Sequence, residues 1–168
     1  MGYVYFLPEI AGEHGEHGEH GEQSVFDRSK TPFVVTKVHY VFSSWLGDAF
    51  VKGYFRCYIL TAPAAAALQA GGMSGIHIAD AEIATDLEYD NAYPNYPLPP
   101  FVWLQIVGKP GQDDFGMARN HHLALSERAL QILSPFGIAH AHLAPFSQDD
   151  GVVPEPLTFE YIVNHENQ

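Results

Sequence analysis

The segment TPFVVTKVHYVFSSWLGDAFVKGYFRCYIL, residues 31–60, is so dense in Val, Ile, Phe and Tyr that it commits this part of the chain to β-structure. FVVTKVHYVF at 33–42 suits one strand. KGYFRCYILT at 52–61 alternates as a second, with Tyr54, Arg56, Tyr58 and Leu60 opposite Phe55, Cys57 and Ile59. Both of its faces are apolar or aromatic, which predicts burial on both sides. YVYFL at 3–7 predicts a first strand and FVWLQIVG at 101–108 another, while EPLTFEYIVN near the end can supply a last one. SGIHIADAEIATD at 74–86 reads as an extended run whose parity slips near Asp80, as at a bulge.

Helix punctuation is sparse. TAPAAAALQAGG at 61–72 places Pro63 in a first turn and Gly71 and Gly72 at a stop. LSERALQILSPFG offers Ser126 as cap, Ala129, Leu130, Ile132 and Leu133 as the apolar stripe, and Gly137 as terminator; IAHAHL then extends with Ile138, His140 and His142 on one side. YDNAYPNYPLPP at 89–100, with four prolines and three tyrosines, reads as a loop of polyproline character. The fold class expected is α+β, a mostly antiparallel sheet with one or two short helices packed on it, in a single domain spanning 1–168.

Charge narrows the partners. Twenty acidic residues against 8 Lys plus Arg give a net charge of −12, and leaving out Glu13, Glu16, Glu19 and Glu22 still leaves −8. Too few cations are present to displace counterions from a phosphate backbone, so nucleic acid is excluded as a ligand and a basic protein partner is favoured. The single cysteine, Cys57, excludes an intramolecular disulfide and a Cys-rich zinc site, and in a buried strand it packs as a small apolar group. No run of 18 apolar residues occurs, the first residues lack a signal-peptide pattern, and five acids between Glu9 and Glu22 oppose a myristoyl anchor, so a cytoplasmic protein without a membrane partner is expected.

GEHGEHGEHGE at 12–22 is the most conspicuous stretch. Imidazoles three residues apart can bind zinc, nickel or copper, but each is followed by a glycine that maximises backbone freedom, so the repeat reads as a flexible loop between strands. His140 and His142, two apart on an expected strand, could share a metal with a carboxylate pair, either Asp113–Asp114 or Asp149–Asp150; that is the alternative reading, a metal-binding protein or metal-dependent hydrolase. No Gly-x-Ser-x-Gly elbow, Walker pattern or dinucleotide fingerprint is present, and no catalytic residue or cofactor is assigned. Between Asp80 and Asp90 lie five acids without a Lys or Arg: Asp80, Glu82, Asp86, Glu88 and Asp90. Tyr89, Tyr93 and Tyr96 accompany them. Aromatic anchors give contact area and charges choose the partner, so these residues, with the Asp113–Asp114 turn, form the expected contact surface.

Three motifs share an order with a known family. LPPFVW at Leu98–Trp103, GQDDF at Gly111–Phe115 and SER at Ser126–Arg128 resemble the corresponding elements of bacterial immunity proteins encoded beside polymorphic toxins and described from myxobacterial loci. The resemblance covers roughly residues 75–146 and leaves the N-terminal third, with the repeat, outside. It implies a non-enzymatic protein that neutralises a cognate toxin, for which a basic nuclease is one candidate, and it carries over no catalytic residue.

Overall fold

The computed structural model describes residues 2–13, 25–27, 34–53, 57–119 and 121–148. Its strands, in chain order, are β1 (Tyr3–Leu7), β2 (Glu9–Ile10), β3 (Gly12–Glu13), β4 (Val25–Asp27), β5 (Val34–Lys37), β6 (His39–Phe42), β7 (Phe50–Lys52), β8 (Tyr58–Thr61), β9 (Ile76–Ala79), β10 (Glu82–Thr85), β11 (Phe101–Ile106), β12 (Phe115–Met117), β13 (Leu123–Ser126) and β14 (His142–Pro145). The helices are α1 (Ala62–Ala70), α2 (Leu87–Ala92) and α3 (Glu127–Leu133). Strand predominates and most pairings are antiparallel: the fold is α+β.

A four-stranded antiparallel sheet has the order β12-β13-β1-β14, and a five-stranded sheet the order β2-β7-β8-β11-β9. A three-stranded sheet, β10-β6-β3, and the β4–β5 pair complete the set. The first residues of the chain feed three of these sheets in succession, because Pro8 lacks the N–H needed to continue a ladder between β1 and β2.

The two-faced pattern of residues 57–60 is realised. Tyr58 and Leu60 enter one core with Phe6, Phe50, Leu104 and Phe115, while Cys57 and Ile59 enter a second with Tyr40, Phe42, Phe101 and Trp103. β11 divides in the same way, Leu104 to the first core and Trp103 to the second. Burial pushes the Cys57 thiol well up, so it stays protonated. Residues 52–61 are not one strand, however. Gly53 donates to the Cys57 carbonyl at 2.8 Å, and β7 and β8 pair as antiparallel neighbours, with Phe50 opposite Leu60.

Two strands run directly into helices. Thr61 ends β8 and precedes α1, with Pro63 in the first turn and the Gly71 N–H closing on Ala67. Ser126 ends β13 and caps α3 by accepting from the Ala129 N–H at 3.1 Å, and a 3-10 turn at Ser134–Phe136 leads to Gly137 at φ 96°. The helices α1 and α3 line the first core through Ala64, Ala65, Leu68, Ala129 and Leu133.

Three expectations need correction. The parity slip near Asp80 is a change of sheet and not a bulge: β9 pairs antiparallel with β11, whereas β10 pairs parallel with β6. Residues 87–92, expected as loop, form α2, capped by the Asp86 carboxylate on the Tyr89 N–H at 2.8 Å. The first proline of that region, Pro94, lies beyond the helix end, so nothing forbids the turn. Among the described residues there are three helices, two of them of seven or more residues. The repeat also does not begin as a loop: Gly12 and Glu13 pair with Phe42 and Val41 of β6, and a Cβ on Gly12 would meet the Val41 carbonyl oxygen. Residues 14–22 and the expected last strand lie outside the described residues.

One close approach invites a test. Gly75 has φ 85°, and a Cβ there would lie 2.1 Å from the Phe115 carbonyl oxygen and 3.1 Å from Gly108 Cα. Backbone cannot yield as a side chain can, so Gly75→Val is expected to cost about 3 kcal/mol or more in urea unfolding. A variant as stable as the wild type would contradict the packing of the β9 entry against β12.

Candidate binding groove and a Glu–Asp–His cluster

The acidic and tyrosine-rich segment folds into one wall of an open groove of about 1240 Å³. Its first side is β10 and the residue before it, through Ala81, Ile83, Ala84 and Thr85; α2 contributes Tyr89 and Asp90; Tyr93–Phe101 supply the rest. Among the described residues no Lys or Arg lines it.

Local chemistry explains the shape. Asp86 holds the start of α2, and its second oxygen accepts from Ser43 Oγ at 2.6 Å, tying the helix to the end of β6. Glu88 and Asp90 in the first turn suit the positive end of the helix. Asp90 also accepts from Thr85 Oγ1 at 2.6 Å. Tyr89, 2 % exposed, inserts into the second core. From it the rings form a closed circuit with centroid separations of 6.4 Å to Phe42 and 4.8 Å to Tyr93, continuing from Tyr93 to Tyr96 at 6.4 Å, Tyr96 to Trp45 at 6.2 Å and Trp45 to Phe42 at 6.5 Å. Asn95 adopts φ 62°, a conformation that asparagine tolerates, and Tyr96 beside it is 55 % exposed. Burial, then the neighbouring Tyr96, Tyr93 and Asp90, raises the Tyr89 hydroxyl above its ordinary value.

The expected contact residues thus separate into groups. Asp90, Tyr93 and Tyr96 line the groove; Asp80 and Glu82 flank Ala81, and Glu88 is exposed on α2. Glu82 pairs with Lys37 at 3.1 Å. Tyr89 and Asp86 frame the wall from within. The Asp113–Asp114 turn does not line the groove, and Asp114 offers no contact surface because it is 4 % exposed. Its carboxylate accepts from Ser74 N–H at 3.0 Å, Ser126 Oγ at 2.6 Å and Arg128 Nη2 at 2.7 Å. The GQDDF and SER motifs thereby meet in one network that locks α3 to the β9 entry. Burial opposes ionisation of Asp114, but the hydrogen bonds from Arg128, Ser126 and Ser74 outweigh it and hold the carboxyl at about 2. Asp113 accepts from the Lys109 N–H at 2.7 Å, which is turn chemistry.

The paired-histidine reading also changes. Ile138–Ala141 is a turn, closed by Ala141 N–H on the Ile138 carbonyl at 3.2 Å, so His140 and His142 do not share a strand face. His142 opens β14, at the edge of its sheet. His140 instead meets Asp48: its N–H donates to Oδ2 at 2.9 Å and its Nδ1 lies 2.8 Å from Oδ1. Glu9 accepts from the Asp48 N–H at 3.2 Å and from the Leu46 N–H. Glu9, Asp48 and His140 bring one ligand-type atom each within 4.8 Å of one another. The Asp149–Asp150 pair lies outside the described residues.

Glu9 and Asp48 are 5 % and 2 % exposed, and burial raises the Glu9 carboxyl, against the N–H groups of Leu46 and Asp48 that lower it. Neither acid was among the expected site residues. Their signal was available: LPEIA and LGDAF each set one carboxylate among apolar residues, and a buried carboxylate needs partners. The cluster clasps the β1–β2 junction, the 43–49 loop and the 137–141 turn together. Asp48→Ala is expected to lower stability by about 3 kcal/mol, since it removes the acceptor of both His140 bonds beside a buried Glu9. An unchanged unfolding midpoint would contradict the clasp.

Among the described residues no helix is long and apolar enough to cross a membrane. No family model, no curated protein and no solved structure matches the chain.

Proposed function

We propose that this protein is a stoichiometric inhibitor that binds and neutralises a cognate bacterial toxin, and that the groove between β10, α2 and the proline-rich segment is its binding face. One observation carries the reading: acids and partly exposed aromatics surround an open groove whose described lining residues include no basic side chain. Tyr96 and the 74 % exposed Leu87 offer contact area, while Asp80, Glu88 and Asp90 select against acidic partners and speed encounter with basic ones. A toxin that is a nuclease has a basic substrate site, which such a surface complements. The motif resemblance points the same way.

The test is purification of the product of the adjacent gene with and without this protein. A 1:1 complex with loss of the toxin's activity is expected. A neighbour that is neither bound nor inhibited ends the proposal.

A second reading, a divalent-cation-binding protein, rests on the Glu9–Asp48–His140 geometry in place of the His140–His142 pair. Metal analysis of a chain with His14, His17 and His20 changed to Ser decides it. One ion per chain, lost on His140→Ala, favours this reading; a metal-free protein that still inhibits the toxin rejects it.

A further inference from the structure

We infer that the partner is captured by strand addition: an extended, Arg- or Lys-bearing segment pairs with the outer edge of β10 inside the groove. The inference rests on the groove being the binding face, and it adds the mode of recognition and the kind of segment recognised.

The pairing pattern supplies the argument. β10 is an edge strand, and among the described residues it pairs only with β6. The Glu82 N–H donates to the Val38 carbonyl at 3.0 Å and the Asp86 N–H to the Phe42 carbonyl at 3.0 Å, so the even-numbered backbone groups face β6. In a parallel ladder the alternate residues direct their N–H and C=O to the other side. Those residues are Ile83 and Thr85, and the other side is the groove. The lining agrees: a strand seen face-on would contribute alternate residues, whereas Ile83, Ala84 and Thr85 line the groove consecutively.

An open edge normally invites the chain's own segments or another copy to pair with it. The opposite wall does not complete the ladder, because Pro94, Pro97, Pro99 and Pro100 have no N–H to donate. A second copy of this acidic chain is disfavoured by charge, since its β10 would carry the same acids to the same place. The edge is four residues long, about 13 Å at the usual rise per residue, which suits a segment of four or five residues. Main-chain pairing would give affinity, and the selection would come from side chains. Asp80, Glu88 and Asp90 favour cationic side chains, and the rings of Tyr93 and Tyr96 add faces on which a guanidinium or ammonium can rest.

The experiment uses the full chain and three octapeptides: alternating Arg-Val, the same peptide N-methylated at every residue, and alternating Glu-Val. Affinity is read by titration, and amide exchange at Ile83 and Thr85 by NMR. The Arg-Val peptide is expected to bind and to slow exchange at both amides at least tenfold. The N-methylated peptide, with its charge intact and its donors gone, is expected to bind at least tenfold more weakly, and the Glu-Val peptide not at all. Equal binding of the methylated peptide, no binding of the Arg-Val peptide, or unchanged exchange at Ile83 and Thr85 would overturn strand addition. The two claims fail separately. A toxin that is bound and neutralised while the Arg-Val peptide leaves those amides unprotected removes the inference and keeps the function. Protection by the peptide without any bound neighbouring toxin does the reverse.

Discussion

Lowering the pH from 7 to 2 is expected to remove about 5 kcal/mol of folding stability through two side chains, in two separable steps. The upper step belongs to His122. It is 6 % exposed, and burial first, then the charges of Lys52 and His121, lowers its imidazole to about 4. The unfolded chain takes up this proton near pH 6.5 and the folded chain only near 4, so stability falls by about 3 kcal/mol across that interval. The lower step belongs to Asp114, whose folded carboxyl titrates at about 2 against an ordinary value of 3.8. Its contribution is full above the ordinary value and is lost as the pH falls towards 2, about 2 kcal/mol in all.

Glu9 works in the opposite direction. Its carboxyl is raised, so the folded chain protonates it first and gains from acidification. Acidification also relieves the self-repulsion of a net charge of −12, but only down to the pI near 5.0, below which 8 Lys plus Arg and 10 His build up positive charge. The two steps are therefore best read from variants. His122→Phe, which keeps a ring beside Tyr5 in the edge contact at 6.2 Å, should flatten the urea midpoint between pH 6.5 and 4. Asp114→Asn should flatten it below 4, from a lower starting stability. A midpoint for His122→Phe that falls in parallel with the wild type would assign the upper step elsewhere.

The second large effect is on binding. Asp80→Lys with Glu88→Lys and Tyr96→Ser alters three exposed positions around the groove and none of the core. Reversing two charges against a basic partner and removing one aromatic anchor is expected to weaken toxin binding at least 100-fold, about 2.7 kcal/mol. Unfolding stability should change by less than about 0.5 kcal/mol at Asp80 and fall by about 1 kcal/mol each at Glu88, a first-turn acid of α2, and at Tyr96, which leaves the ring circuit. Wild-type affinity should fall with added salt, and the variant's should fall less. An affinity unchanged by all three substitutions would move the interface away from the groove.

What the sequence made legible was local. The alternation at 57–60 assigned both faces of β8 because Cys57, Tyr58, Ile59 and Leu60 carry the pattern in consecutive residues. Ser126 and Pro63 marked helix starts because caps and first turns act over three or four residues. α2 was hidden by composition: the prolines that follow it dominate the segment, although the Asp86 cap acts before them. The change of sheet at residues 80–81 was read as a bulge because parity alone does not distinguish a kinked strand from one that leaves its sheet.

Part of the candidate site was legible for the same reason. Asp80–Tyr96 is one continuous segment, and it folds against itself. Trp45, which completes the aromatic circuit, comes from a distant loop and carried no sign of that role. Asp113 and Asp114 looked alike as a turn pair, yet one is turn chemistry and the other a buried hub, because only tertiary packing brings Ser74, Ser126 and Arg128 to Asp114. Glu9, Asp48 and His140 meet across spans that no spacing rule covers. Of the conspicuous histidine repeat only Gly12 and Glu13 lie among the described residues.

The most direct test of the groove as the neutralising face is survival. Cells expressing the adjacent gene's toxin are given either the wild-type chain or the Asp80→Lys, Glu88→Lys, Tyr96→Ser variant, with equal folded levels verified. Growth restored by the wild type and not by the variant is the predicted result. Equal protection by both would contradict it.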